Sequence, residues 1–175
     1  MRRCRARPHR GNVGPSRAGR QCLSPRGRRP RCPALRAELR PARSHGPAGS
    51  GAPPVSPDDV VTALVQACER RDLDAVCALV TDDIEYDNVP IGKVFGPDGV
   101  RSVLGAGVMA QADEVEWRVL AQVASGDLVM NERVDRFRIG DRWIEIPIAA
   151  VFRLRDGRVC LWRDYFDLET YRKQR

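Results

Sequence analysis

Residues 162–167 read Trp-Arg-Asp-Tyr-Phe-Asp, placing three aromatics, two carboxylates and a guanidinium just after the apolar run Val159-Cys160-Leu161. In an extended chain alternate side chains share a face. Cys160, Trp162, Asp164 and Phe166 then point one way, and Val159, Leu161, Arg163 and Tyr165 the other. Asp164 stands alone among apolar neighbours. A buried carboxylate is costly unless it is paired or hydrogen-bonded, so the chain must carry its partner elsewhere.

The stretch Asn131-Glu132-Arg133-Val134-Asp135-Arg136-Phe137 offers that partner. Alternation puts Asn131, Arg133, Asp135 and Phe137 on one face and Met130, Glu132, Val134 and Arg136 on the other. A guanidinium has five donors in a planar fork and can bridge two carboxylates at once. An Asp–Arg–Asp arrangement lets one carboxyl stay protonated while the other stays ionised, so a general acid and a general base coexist near neutral pH. Tyr86 and Asn88 share a face of another extended run, and a phenol and a carboxamide can hold a water against a carboxylate. The same Arg-x-Asp spacing suits a solvated surface ladder, and Tyr-x-Asn ahead of Pro90 suits a loop edge. The residues alone leave both readings open.

The elements that must position these groups are legible along residues 57–175. Ser56-Pro57-Asp58-Asp59 is a helix start, with Ser as cap, Pro at the first helical position and acids in the first turn. Val60, Val61, Leu64, Val65 and Cys68 follow at helical spacing. After Arg70-Arg71 the pattern resumes from a cap at Asp72, with Leu73, Val76, Cys77 and Val80. Ile84–Val89 predicts a strand stopped by Pro90, and Gly96-Pro97 opens a third helix whose buried stripe is Val100, Val103, Leu104 and Val108. Then come four extended runs, 114–124, 128–139, 143–155 and 158–166. They are separated by the hairpin residues Ser125-Gly126-Asp127, Gly140-Asp141 and Asp156-Gly157. A further helical turn or two is expected after Leu168. Helices followed by an antiparallel meander predict an α+β fold: a strongly curved mixed sheet forming a cone-shaped pocket, packed with three to four helices. Pro147, inside a strand-like run, predicts an edge position or a bulge.

The chain has 175 residues and a net charge of +7, but that charge sums two unlike segments. Residues 1–56 hold 14 arginines against one acid, Glu38, for a charge of +13; residues 57–175 hold 16 basic and 22 acidic residues, for −6. The first segment, rich in Arg, Pro, Gly, Ala and Ser, buries too little apolar surface to offset chain entropy and is expected to be disordered. It reads like translated upstream sequence from an over-extended gene start. The second is one domain, too acidic to favour nucleic acid. Both histidines, His9 and His45, fall in the first segment, so the domain has no Ser-His-Asp or Cys-His apparatus and no histidine-based metal site. Gly105-Ala106-Gly107-Val108-Met109-Ala110 matches a dinucleotide-binding pattern, but it follows a helix rather than a strand and reads as a helix end. Cys68, Cys77 and Cys160 sit among apolar residues without zinc spacing, which suggests small core side chains and a reducing, cytoplasmic setting. No run approaches the ~18 apolar residues of a membrane helix.

The segments Glu85-Tyr86-Asp87-Asn88-Val89-Pro90, Asn131-Glu132-Arg133-Val134-Asp135 and Leu161-Trp162-Arg163-Asp164-Tyr165-Phe166-Asp167-Leu168 resemble those of the limonene-1,2-epoxide hydrolase family in order and separation. The resemblance spans about residues 57–170. It implies a curved six-stranded mixed sheet, the cone shared with nuclear-transport-factor-2-like and SnoaL-like proteins, usually as a homodimer. It also implies one-step hydrolysis of an epoxide without metal or organic cofactor. Asp164 would be the general base, Asp135 the general acid and Arg133 the bridge, with Tyr86 and Asn88 holding the water. Leu104, Val108, Phe137, Ile146, Ile148 and Phe166 are expected to line an apolar substrate pocket. Another enzyme on the same cone, an isomerase or cyclase with an aspartate base, is an alternative, as is a non-catalytic small-molecule-binding or dimerisation domain.

Overall fold

A computed structural model describes residues 55–175; the expectations for the Arg-rich segment, its cysteines and its histidines lie outside the described residues. Helix α1, Pro57–Glu69, begins as the sequence predicts. Ser56 Oγ accepts from the Asp59 N–H at 3.2 Å, and the Asp59 carboxylate accepts from the Ser56 N–H at 3.2 Å, a complete capping box. Its buried face is Val60, Val61, Leu64, Val65, Ala67 and Cys68. Each of its valine and leucine side chains contributes about 1.5–3 kcal/mol by leaving water. Arg71 turns the chain with φ 58°, and Asp72 caps α2, Leu73–Ala78, by accepting from the Ala75 N–H.

Strand β1 is Val80–Asn88, and a four-residue strand β2, Gly92–Phe95, folds back on it with Asn88 opposite Gly92 and Glu85 opposite Phe95. No sequence pattern announced β2. It has no alternation of its own and exists because it pairs with β1, helped by a 2.9 Å Lys93–Glu85 ion pair. The third predicted helix divides at Gly105-Ala106 into α3, Gly96–Leu104, and α4, Gly107–Gln111. The glycine pattern at 105–110 therefore spans a helix end and the start of a short second helix, with Gly105 as the C-cap of α3. With α5, Leu168–Arg172, the helices number five among the described residues.

The four long runs become β3, Glu114–Ser125, β4, Leu128–Ile139, β5, Arg142–Arg155, and β6, Arg158–Tyr165. Their connections fall where the sequence predicts, each of two residues, with Ser125 belonging to β3 rather than to the first turn. At Asp156-Gly157 both residues have positive φ (52° and 74°), the geometry that suits the twist of a tight hairpin. The sheet order is β2-β1-β6-β5-β4-β3, with β1 parallel to β6 and every other pair antiparallel. The sheet is curved and unclosed, with register shifts at Val119/Ala121 and Arg153/Leu154. Helix α1 packs across β3 and β4, and α3 against β1.

Pro147 sits on a locally unpaired edge. Strand β6 begins pairing with β5 only at Ala149 opposite Tyr165, so β5 has no strand on that side at Pro147. Two residues earlier the Glu145 N–H donates to Gln174 Oε1 and the Glu145 carbonyl accepts from Gln174 Nε2, both at 2.8 Å. Residues i and i+2 of a strand direct their amides to the same side, so the N–H that Pro147 lacks would also have pointed away from β4.

Candidate active site

Strand register brings the predicted residues together before any side chain is considered. One row across the sheet runs Gln122 on β3, Asn131 on β4, Ala150 on β5, Asp164 on β6 and Asn88 on β1. The neighbouring row holds Val119, Arg133 and Ile148, and the next Trp117, Asp135 and Ile146. Arg133 and Asp164 belong to strands two places apart, about 10 Å. In the Asp164 row the β5 residue is the small Ala150, between Asn131 and Asp164.

Arg133 spans that gap. Its Nε donates to Asp135 Oδ1 at 2.8 Å, and Nη2 donates to Asp164 Oδ1 at 3.0 Å and to Asp135 Oδ2 at 3.3 Å. The three residues are buried, at 0%, 4% and 1% exposure for Arg133, Asp135 and Asp164. The surface-ladder reading of Arg-x-Asp is therefore wrong for this chain. The guanidinium also lies over the Trp117 ring, 4.7 Å from its centroid. Tyr86 donates its hydroxyl to Asp164 Oδ2 at 3.3 Å. Asn88 is the register partner of Asp164 on the parallel strand, and both face one cavity.

Burial is the largest influence on Asp135 and drives its carboxyl upward. The Arg133 charge opposes this, the Asp164 charge reinforces it, and the balance lies at about 7, against an ordinary 3.8. Burial pushes the Tyr86 phenol well above its usual range, and the adjacent Asp164 adds to the effect, so Tyr86 is a hydrogen-bond donor and not a phenolate. Burial opposes the charge on Arg133, but its two carboxylates outweigh that and hold it protonated. Burial also pushes up the free thiol of Cys68, which feels the charges of Arg133, Asp135 and Asp164.

The cavity encloses ≈ 160 Å³. Asp135, Asp164, Tyr86 and Asn88 supply its polar atoms on the sheet side, and the six residues expected to line it, Leu104, Val108, Phe137, Ile146, Ile148 and Phe166, all do so. Met109 of α4, Trp117 of β3 and Tyr171 of α5 also line it and were not singled out as pocket residues from the sequence; Ile91, Val103, Ala106 and Gly107 lie along the same wall. Asp167, of the opposite parity to Asp164, lies outside the cavity and caps α5, accepting from the N–H groups of Glu169 and Thr170.

Trp162 is the polar contact that sequence reasoning missed. Its Nε1 donates to Asp164 Oδ1 at 2.8 Å, and its ring packs on Tyr86 with centroids 4.3 Å apart. Alternation put it on the Asp164 face, but nothing local distinguishes an indole that packs from one that donates. Among the described residues, no group of three or more His, Cys, Asp or Glu side chains is arranged to hold a metal ion, and no helix is long and apolar enough to cross a membrane.

Comparison with known proteins places these features. The limonene-1,2-epoxide hydrolase catalytic domain family matches residues 55–175. Epoxide hydrolase EphG of Mycobacterium tuberculosis is 34% identical over 108 residues, which cover 62% of this chain and 71% of that protein. The solved structure of an LEH-like epoxide hydrolase from M. tuberculosis is 30% identical, with a TM-score of 0.58 over 67% of this chain and 87% of that one. A protein of ketosteroid isomerase-like fold from Catenulispora acidiphila, 23% identical with a TM-score of 0.60 over 66% and 91% of the two chains, shares the fold.

Proposed function

Because the chain belongs to the limonene-1,2-epoxide hydrolase family, we propose that it adds water to an apolar epoxide in one step, giving a vicinal diol without a covalent enzyme intermediate. The observation that carries this reading is the single guanidinium of Arg133, hydrogen-bonded to two carboxylates that both border one largely apolar cavity.

Asp164 is the base. Its carboxylate takes a proton from a water held by Tyr86 and Asn88, and the resulting hydroxide attacks an epoxide carbon. The carbon–oxygen bond of the ring breaks, and Asp135 gives its proton to the departing oxygen. The Asp135 carboxyl, poised near 7, is protonated in a large share of molecules at neutral pH. Of its two oxygens, Oδ2 makes the longer contact with Arg133, 3.3 Å against 2.8 Å, and is the one suited to carry the proton. Each turnover leaves Asp164 protonated and Asp135 ionised. Arg133 touches both and stabilises either charge distribution while the proton returns.

The lining suits a terpene, fatty or sterol epoxide, whose apolar body would lie against Phe137, Ile146, Ile148 and Met109. Hydrolysis of a panel of such epoxides in oxygen-18 water is the test. A diol carrying one solvent oxygen supports the reading, and a panel without turnover sinks it. The protein is further expected to be a homodimer joined through the outer face of the sheet. There Val123, Met130 and Tyr165 are exposed, opposite the cavity by strand parity, and Leu120 is exposed at the β3 register shift. A monomeric mass in sedimentation equilibrium would count against that assembly.

A further inference from the structure

The Arg133 guanidinium has a third side-chain partner, and it leads away from the cavity. Nη1 donates to Asn131 Oδ1 at 3.3 Å. Asn131 Nδ2 donates to Gln122 Oε1 at 3.0 Å. Gln122 Nε2 then meets three acceptors on the first turns of α1: Asp58 Oδ1 at 3.0 Å, Thr62 Oγ1 at 3.0 Å and the Asp58 carbonyl at 3.3 Å.

The directions in this chain are forced. A carboxylate and a carbonyl can only accept, so the end of Gln122 that faces Asp58 must be its NH₂ group. Its oxygen therefore faces Asn131, which must answer with its own NH₂ group. The Asn131 oxygen is left aimed at Arg133, a residue with donors only. A flip of either amide would set donor against donor, one of those pairs at a buried guanidinium.

We propose that Asn131 and Gln122 form an orienting relay that fixes the plane of the Arg133 guanidinium between its two carboxylates, with the first turns of α1 as its anchor. Asn131 is a positioning residue: it lies in the same sheet row as Asp164, buried at 5% exposure, and is not among the residues lining the cavity. With the third contact made, the fork does not rotate toward either aspartate alone, and the acid and the base keep separate roles. The anchor itself is pinned, because the capping box and Pro57 define the helix start that carries Asp58. The relay rests on the acid–base reading of Asp135 and Asp164.

Asn131→Leu removes the acceptor, and Gln122→Leu, on the partly exposed edge strand, removes only the group that orients it. The readouts are kcat and KM on an epoxide that the wild type hydrolyses, and the titration midpoint of the Asp135 carboxyl followed by NMR without substrate. The charged and titratable groups facing Asp135 are Arg133, Asp164, Tyr86 and Cys68, and neither substitution alters them. A loosened Arg133 attracts the Asp135 carboxylate less, so the midpoint rises by about half a pH unit, an approximately threefold change in equilibrium. The kcat falls about tenfold while KM stays within about twofold. If Asn131→Leu does not fold, Gln122→Leu gives the same signs at smaller size. Folded variants with wild-type kcat and midpoint overturn the relay, as does a loss of thermal stability with the midpoint unmoved. A wild type that hydrolyses no epoxide refutes the functional reading, yet the midpoint shift still decides the relay.

Discussion

Arg133 reaches Asp164 across a strand that belongs to neither: Nη2 donates to Oδ1 at 3.0 Å although β5 lies between their strands. Only a long side chain with a forked head closes that distance and still serves Asp135 with its other edge. An ammonium reaches one carboxylate and leaves the second buried and unpaired. Arg133→Lys is therefore expected to lower turnover by at least about 10²-fold. Breaking such a pair costs about 3–5 kcal/mol, so the unfolding temperature should drop as well. Steady-state rates and a thermal melt check both, and a lysine variant with full activity would show that charge alone suffices.

As the proposed general acid, Asp135 is expected to set the alkaline limb. Its carboxyl sits at about 7 and must be protonated to serve in that role, so kcat/KM should fall about tenfold per pH unit above that value. The stability linkage has the same sign. The folded value lies above the ordinary 3.8, so the contribution is fully present below about 3.8 and lost as pH rises through about 7. Asp135→Asn should lower turnover by at least about 10²-fold and remove this loss of stability between pH 4 and 8. Parallel pH-rate and pH-melt series on wild type and variant test it.

Asp164→Asn should likewise cost at least about 10²-fold in turnover. A subtler test is Trp162→Phe, which keeps most of the ring packing on Tyr86 and Phe152 but deletes the donor to Oδ1. A hydrogen bond to a charged group contributes about 1.5–3 kcal/mol, so a rate loss of about tenfold or more is expected in a protein that still melts cooperatively. Unchanged rates would reduce Trp162 to a packing residue.

Gln174 closes one wall of the cavity at a distance. Its side chain makes two 2.8 Å hydrogen bonds to the Glu145 backbone, covering the free edge of β5 and holding α5, whose Tyr171 lines the cavity. Gln174→Ala should speed amide exchange at Glu145 and raise KM more than it changes kcat. Slow exchange with an unchanged KM would mean that α5 is held by its other contacts.

Much of the site was legible in the residues. Alternation alone put Arg133 with Asp135, Trp162 with Asp164, and Tyr86 with Asn88, because side-chain direction along a strand has a period of two whatever the strand pairs with. The helix starts at Ser56 and Asp72 and the hairpin at Asp156-Gly157 were equally local, each resting on a cap or turn within four residues. The faces were therefore known before the neighbours were.

The neighbours belonged to the tertiary structure. That β1 runs parallel beside β6 and brings Asn88 level with Asp164 depends on strand order, which local periodicity does not encode. Strand β2 arises only by pairing, and the separate helix α4 follows a glycine that the sequence marked only as a helix end. The indole donor on Asp164 and the path from Arg133 through Asn131 and Gln122 to Asp58 join residues 2 to 64 positions apart. Side-chain type and parity specify which way a group points; register and order across the sheet decide what it meets there, and those are settled by packing the whole sheet against α1 and α3.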